Sequence, residues 1–533
     1  MSQANTKYTI NHNHKGRHRF FFLIYFLWML CGLLNAARQE LPPQAKAFAR
    51  FAEDVQLPAG AAIRFDSDTY QQLQGQRRIR WTKFPLRRGR MIDLDLEPFE
   101  ITTPTTTIVA GTHEGDIPLP HPEVLLLRGK VVGEEDSEVV LGISPYGNNG
   151  YIRRKNTLHF LSAGDRRNKK GPNSYHTIAE QVEVTSPITP AEEFQCNAKL
   201  LSEMDISADE YSFPCMTDTS PPPSSYDWRV AYVAIECDNE YLDHFGGDVG
   251  AALSYVLQLA GTSSHFFERD IYIKWNLSYI RIWTSTDPYT SLDGETTFNQ
   301  YVYYWQVNMD HVERDLALMF SCKPGRWGYS LCPTLGDDNW AYTINYDLQG
   351  WFPRPVQDLN ADNWDLHVVP HEAGHVFGSH HTHCYNPSID NCPPEGADGD
   401  NKFCQDRTVF DECVPGTIMS YCGGANCGGY SNELMSFHPR VVRCIRDYVD
   451  LIGGLQTGLN PVYADWRNTG TEDGSISHPF NTIEEALSRV IPNGVVSIYA
   501  GTYPENQVQS PQHLTISRPV ILVASGGTVT IGQ

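Results

Sequence analysis

The sequence predicts a multidomain fold: a β-rich N-terminal region, a central α/β (α+β) region built on a mixed twisted sheet, and a short C-terminal segment of small strands. Three observations predict it. Before about residue 196, short apolar or alternating runs sit between Gly and Asn turns, the pattern of half-buried strands. After the linker Ser220-Pro221-Pro222-Pro223-Ser224-Ser225, strand-like and helix-like patterns alternate, which calls for a sheet with crossover connections. After Gly453 the character changes again, to short apolar runs among Gly and Asn turns. The expected boundaries are 1–37 for an export signal, 38–219 for the β-rich region, 220–225 for the linker, 226–455 for the central region and 461–533 for the C-terminal segment.

With 533 residues, the chain has room for roughly two to four domains, each large enough for its own core. A formal charge of −22 argues against nucleic acid and anionic membrane surfaces as partners. Lys7, Lys15, Arg17 and Arg19 precede the apolar run Phe20–Leu34, which Asn35-Ala36-Ala37 follows. A basic flank, an apolar core and small residues make a secretory signal, cleaved after Ala36 or Ala37. An uncleaved anchor is the rival, and the run is short for one. No other stretch suits a membrane span, so the expectation is a secreted protein with no stable membrane insertion after cleavage.

Thirteen cysteines fit that address. Cys31 falls in the signal, Cys196 and Cys215 precede the central region, and ten lie from Cys237 to Cys444. Parity lets the ten pair among themselves and Cys196 pair with Cys215. Cys384, Cys392, Cys404, Cys413, Cys422 and Cys427 crowd one segment, where disulfide staples compete with a Cys/His structural zinc. Asn276-Leu277-Ser278 is a glycosylation sequon.

Taken in order, Glu123–Val132, Ser137–Ile143 and Gly150–Leu161 read as strands. Arg166-Arg167-Asn168-Lys169-Lys170 is a basic run that suits either a processing site or solvated charge. Arg229–Glu236 reads as a strand, Asp248–Phe267 as a helix capped by Asp248, Trp275–Ser285 as a strand, Phe298–Val312 as a helix and Asp315–Cys322 as a buried strand. A further helix should begin near Asn360 or Asp362, with Leu366, Val369, Val376 and Phe377 facing the core. Pro370 inside it removes one backbone bond at a cost of about 3 kcal/mol, so the helix either kinks before His371 or starts late. At the C-terminal end, Ile483–Val490 reads as a helix, and Val495–Ile498, Leu514–Ile516 and Val520–Val523 as short strands.

The chemistry is concentrated in His371-Glu372-Ala373-Gly374-His375-Val376-Phe377-Gly378-Ser379-His380-His381. His371 and His375, four apart on a helix, project from one face and can grip one ion. Gly378 can take φ > 0, ending the helix so that His381 approaches the same ion. Three neutral imidazoles leave a fourth zinc position open, the mark of a catalytic site. Glu372 adjoins the first ligand, where a carboxylate serves as general base.

Within Gly416-Thr417-Ile418-Met419-Ser420-Tyr421, Met419 follows His381 by 38 residues, the place of a Met-turn. With the histidine motif, this makes residues Ser224–Gly453 resemble a metzincin zinc protease. The resemblance implies a zinc endopeptidase acting on protein or peptide substrates, with Met419 as a packing floor. It also implies that Trp327–Cys332 is an antiparallel edge strand lining the cleft, where an extended peptide adds by backbone hydrogen bonds, and that Trp340–Tyr346 is the next strand. Tyr421 stands where astacins and serralysins carry a tyrosine near the zinc, so its phenol suits an oxyanion donor. A tyrosine packed beside Cys422 fits the position equally well. Thr382 departs from the adamalysin pattern, which has Asp after the third histidine.

Leu127-Arg128-Gly129-Lys130-Val131-Val132-Gly133 and Val139-Val140-Leu141-Gly142 resemble an adamalysin/reprolysin-type prodomain. That resemblance implies a zymogen, with Cys196 and Cys215 as the candidates for a cysteine switch. It also implies a Ca2+ site of the kind adamalysins carry, with Glu236 or Asp238 as its candidate. A β-rich accessory domain is the alternative. Residues Asp465–Ile531 resemble the opening of a pectate-lyase-like parallel β-helix, which leaves polysaccharide as a weak second partner. Two other function classes stay open: a catalytically inactive zinc-binding adhesion module, which the presence of Glu372 opposes, and a carbohydrate-associated protein.

Overall fold

Alternation decides how the N-terminal region packs. The computed structural model describes residues 45–57, 59–155, 157–164, 174–181, 195–200 (backbone alone), 214–325, 327–353, 364–390, 392, 414–422, 433–503 and 514–531. The export signal, the basic run at 166–170, Cys404, Cys413, Cys427 and the expected helix start at Asn360 or Asp362 lie outside these residues. The first strands are β1 (Ala49–Phe51), β2 (Ala61–Phe65), β3 (Ile79–Arg87), β4 (Arg90–Phe99), β5 (Thr107–Thr112), β6 (Gly115–Pro118), β7 (Leu125–Val131), β8 (Glu138–Ile143), β9 (Asn149–Arg154), β10 (Thr157–Ser162) and β11 (His176–Glu180), with the short helix α1 (Thr69–Leu73) after β2. The expected strand Gly150–Leu161 is two strands, because Lys155 takes φ 53° and turns the chain.

Nine of these strands form one antiparallel sheet in the order β1-β2-β11-β10-β9-β8-β7-β4-β3. Successive side chains point to opposite faces. Leu127, Val139, Leu141, Ile152, Leu161 and Ile178 therefore gather with Trp81 on one face. Leu126, Val140, Tyr151, Phe160 and Ala179 emerge on the other and join the main core of the molecule. A sheet covered on both faces reads as apolar runs, which is what these strands show.

The main core belongs to the central region. Its elements are β12 (Gln195–Leu200), β13 (Arg229–Cys237), α2 (Asn239–His244), α3 (Val249–Ile271), β14 (Ile273–Trp283), α4 (Gly294–Asn308), β15 (Leu316–Phe320), β16 (Trp327–Cys332), β17 (Tyr342–Asn345), α5 (Trp364–Val376), α6 (Pro439–Ile452) and β18 (Gln456–Thr457). The sheet runs β12-β16-β17-β15-β13-β14-β5-β6, with β18 against β13. As expected, β16 is antiparallel to β17 while β17, β15, β13 and β14 are mutually parallel.

Two additions were not legible in the sequence. The β5–β6 hairpin, from the N-terminal region, continues the sheet beyond β14, with β5 parallel to it. At the opposite side β12 runs parallel to β16, Cys196 opposite Gly328, so the expected edge strand has a neighbour. Asp248 caps α3 by accepting from the Ala251 N–H. This helix packs directly on the N-terminal sheet: Gln258 meets Asn149, and Arg269 pairs with Glu138. Asn276 is buried in β14, so the sequon is inaccessible in the folded chain.

The cysteine expectation needs correction. Cys215 is bonded to Cys444, because the turn Pro214–Met216 lies beside α6 and brings the two Cα atoms to 5.2 Å. A Cys196–Cys215 loop is therefore excluded, and Cys215 has no thiolate to offer a metal. The ten central cysteines do not pair only among themselves: Cys392 bonds Cys422, while Cys237, Cys322 and Cys332 are free.

Downstream, β19 (Val462–Ala464), the helix α7 (Ile483–Arg489), β20 (Val495–Tyr503) and β21 (Ile521–Ile531) follow. The three strands are parallel and in sequence order, with Val462, Ile483, Val496 and Ile498 in a small core of their own. Leu514–Ile516 is not a strand. This segment docks on the N-terminal region: Arg77 pairs with Asp465 at 2.6 Å and lies over the Tyr499 ring, and Tyr463 donates to Glu100.

Candidate metal centre

Helix α5 is buried along its whole length, and Pro370 sits inside it without ending it. Two backbone bonds close its C-terminal end, from Gly378 N to His375 O (2.8 Å) and from Ser379 N to Gly374 O (3.0 Å). Gly378 then takes φ 97°, and a Cβ there would meet Tyr448 at 2.9 Å, so glycine alone suits the reversal. The reversal returns His381 to the face of α5 that carries His371 and His375. The Nε2 atom of His375 lies 3.2 Å from that of His371 and 3.0 Å from that of His381.

The hydrogen bonds behind these rings test whether a metal fits. His371 Nδ1 lies 2.6 Å from the Ile418 carbonyl oxygen, and His375 Nδ1 lies 2.7 Å from that of Ser379. A carbonyl only accepts, so both Nδ1 atoms carry the proton and both Nε2 atoms present lone pairs. Lone pairs 3.2 Å apart repel unless a cation lies between them. Zinc at about 2.0–2.1 Å from each nitrogen in a tetrahedral set holds its nitrogens about 3.3 Å apart, so the three histidines fit zinc. Burial holds all three imidazoles below their ordinary pKa, His375 at about 4, which keeps them neutral as ligands must be.

Met419 lies beneath. Its Sδ occupies the place a Cβ on Gly374 would need, at 2.4 Å, so the helix and the turn approach as closely as glycine permits. The Met419 carbonyl accepts from both Thr382 N (3.0 Å) and Thr382 Oγ1 (3.2 Å). Thr382 thereby ties the third-histidine segment to the Met-turn. Tyr421 packs edge-on against His381 at 4.5 Å between ring centroids, and the Cys392–Cys422 disulfide anchors the residue after it.

Glu372 is fully buried, and its Oε2 accepts from Ser330 Oγ at 2.6 Å. His380 and His383 are buried too, the latter with its ring stacked on His381. Four neighbours of the site escaped the sequence reading. Gly328 and Ser330 arrive from β16. His367, one turn before His371, packs its ring 5.1 Å from that ligand and places Nδ1 3.3 Å from Glu433 Oε2. The four-residue spacing before His371 was a readable signal for His367; nothing local marks Glu433.

The calcium candidates sit elsewhere. Glu236 accepts from Trp283 Nε1 (2.6 Å), Tyr289 OH (2.6 Å) and Trp305 Nε1 (2.7 Å), with Arg281 3.6 Å away, so its oxygens are already taken. Asp238, Glu240 and Asp287 do bring oxygens within 4.8 Å of one another. There the Lys323 ammonium, itself buried, lies 3.8 Å from Asp238 and Glu240 and supplies the positive charge. Asp238 is further used as the cap of α2 and as acceptor from Ser321.

Comparisons with known proteins bear on the same region. No curated protein matches the chain. Among solved structures, the crystal structure of metalloproteinase-II from Bacteroides fragilis is similar at 10% identity and a TM-score of 0.32, covering 57% of this chain and 81% of that one; likeness at this level carries no argument. Residues 227–431 match the model of metallo-peptidase family M12, and a reprolysin-like metallopeptidase domain of that family thus spans this part of the chain.

Proposed function

We propose that this protein is a secreted zinc endopeptidase made as a zymogen, with His371, His375 and His381 as metal ligands and Glu372 as general base. The observation that carries the reading is the convergence of the His371 and His381 Nε2 atoms on that of His375, at 3.2 Å and 3.0 Å, beside a buried glutamate. Zinc held there supplies Lewis-acid activation of water and of the scissile carbonyl. Glu372 takes the proton from the attacking water and hands it to the leaving amine. Tyr421, whose ring packs against His381, is the proposed donor to the developing oxyanion. The substrate is an extended peptide that pairs with β16 through its backbone.

Latency follows from the same strand. β12 already pairs with β16 over six residues, so it competes with any substrate for one ladder. Cys196 remains the candidate for a cysteine switch, in register with Gly328. A cut at the basic run would fall between β10 and β11 and leave β12 joined to the protease, so we place activation after β12, within residues 201–213. The experiment is peptide cleavage by the full chain before and after nicking in that segment, with zinc analysis and chelator controls. One zinc per chain and chelator-sensitive cleavage only after nicking are expected; cleavage insensitive to chelator refutes the zinc reading, and full activity before nicking refutes latency.

A further inference from the structure

The general base of the proposed reaction has a second residue holding it, and the sequence motif does not contain it. We propose that Ser330 is a positioning residue that fixes the Glu372 carboxylate against β16, an inference that rests on the endopeptidase reading. Strand alternation sets the directions. Tyr329 and Leu331 are buried among aromatic side chains on one face of the sheet, with the Tyr329 ring 4.5 Å from that of Phe298. Gly328, Ser330 and Cys332 therefore face α5. Cys332 Sγ reaches the Ser379 carbonyl at 3.5 Å, and Ser330 Oγ reaches Glu372 Oε2 at 2.6 Å.

Gly328 completes the arrangement. A Cβ on it would stand 1.8 Å from Glu372 Oε1, so one carboxylate oxygen lies close against bare backbone while the other is held by the Ser330 hydroxyl. Both residues are buried and exclude water from this bond. The hydroxyl matters because a glutamate has three rotatable torsions, and an unanchored carboxylate samples several rotamers. An ionised carboxylate is acceptor-only, so the serine donates. Fixing one oxygen defines where the other points. Misplacement of a reacting group by about 1 Å costs on the order of a hundredfold in rate, which is the scale at which one hydrogen bond becomes visible.

The test uses the full chain, activated identically for every variant. Ser330→Ala removes the donor, and Gly328→Ala pushes a methyl into the carboxylate. Each should lower kcat about ten- to a hundredfold with KM within about twofold. Zinc content should stay at the wild-type value and melting temperature should fall by a few degrees at most, and crystal structures of both variants should show Glu372 in a changed or multiple rotamer. Wild-type kcat in Ser330→Ala overturns the proposal. So does a rate loss accompanied by loss of zinc or by unfolding at the assay temperature, which marks Ser330 as merely structural. If the wild-type chain cleaves no peptide, the endopeptidase reading has failed, and the crystal structure of Ser330→Ala decides this one: an unmoved Glu372 refutes it.

Discussion

Glu236 and Glu372 are both fully buried glutamates of the same domain, and their surroundings could hardly differ more. Glu236 is enclosed by donors: two indole N–H groups, a phenol and a nearby guanidinium. Burial pushes its pKa up, and Arg281 with the three hydrogen bonds works against that push. Glu372 accepts from the Ser330 hydroxyl and lies beside a set of histidines whose lone pairs converge. A carboxylate saturated with donors is committed to structure. One held by a serine hydroxyl and packed against the bare backbone of Gly328 is oriented by the strand beside it. Burial alone does not separate these roles; the kind of partner does.

The comparison can be broken by substitution. Glu372→Gln is expected to lower kcat by about 10²–10⁴-fold while zinc content and melting temperature stay put, read by steady-state kinetics and calorimetry. Wild-type turnover in that variant would remove Glu372 from the mechanism. Tyr421→Phe comes next, with kcat down about ten- to a thousandfold and KM little changed. An unchanged kcat would return Tyr421 to simple packing against His381.

Glu236→Gln should do the opposite. It leaves hydrogen-bond donors around a weaker acceptor and should cost about 1–3 kcal/mol of stability with kcat/KM preserved. A loss of activity at constant melting temperature would put Glu236 in the functional site after all.

The smallest effect sharpens the contrast with a third buried glutamate. Burial raises the pKa of Glu138, but Arg269, His265 and Arg153 outweigh it and hold this carboxyl well below the usual range. A depressed carboxyl contributes stability above its unfolded value, about 4.3, and that contribution fades as pH falls below it. The melting-temperature gap between wild type and Glu138→Gln should therefore be widest near neutral pH and shrink below about pH 4.3. Because Glu138 joins the N-terminal sheet to α3, a constant gap would mean that this ion pair does not hold the two regions together.

Much of the site was legible because its chemistry is local. The spacing of His371 and His375 on one helical face and the glycine that lets His381 return are consequences of chain geometry over short stretches; Met419 was singled out by family resemblance. The alternation of strands and helices from Arg229 to Tyr346 was readable for the same reason, and Pro370 proved to be accommodated within α5. The strand around Lys155 was misread because a left-handed turn at a lysine carries no composition signal. The cysteine pairing was misread because parity counts residues and ignores that Cys215 and Cys444, 229 residues apart, are neighbours in space.

What the sequence determined by itself is the proposed ligand set, the proposed base beside it and the order of elements that presents them, since period, spacing and residue chemistry suffice for each. Only the tertiary structure decided what lies across the gaps. It set Ser330 and Gly328 against Glu372, closed Glu236 inside an aromatic cage, and laid β5–β6 and β12 on the two sides of the protease sheet. The reason is physical: these pairings join residues tens to hundreds of positions apart through backbone ladders and shared burial, interactions that any apolar strand or exposed ladder can make. Such contacts leave no pattern in the residues that make them.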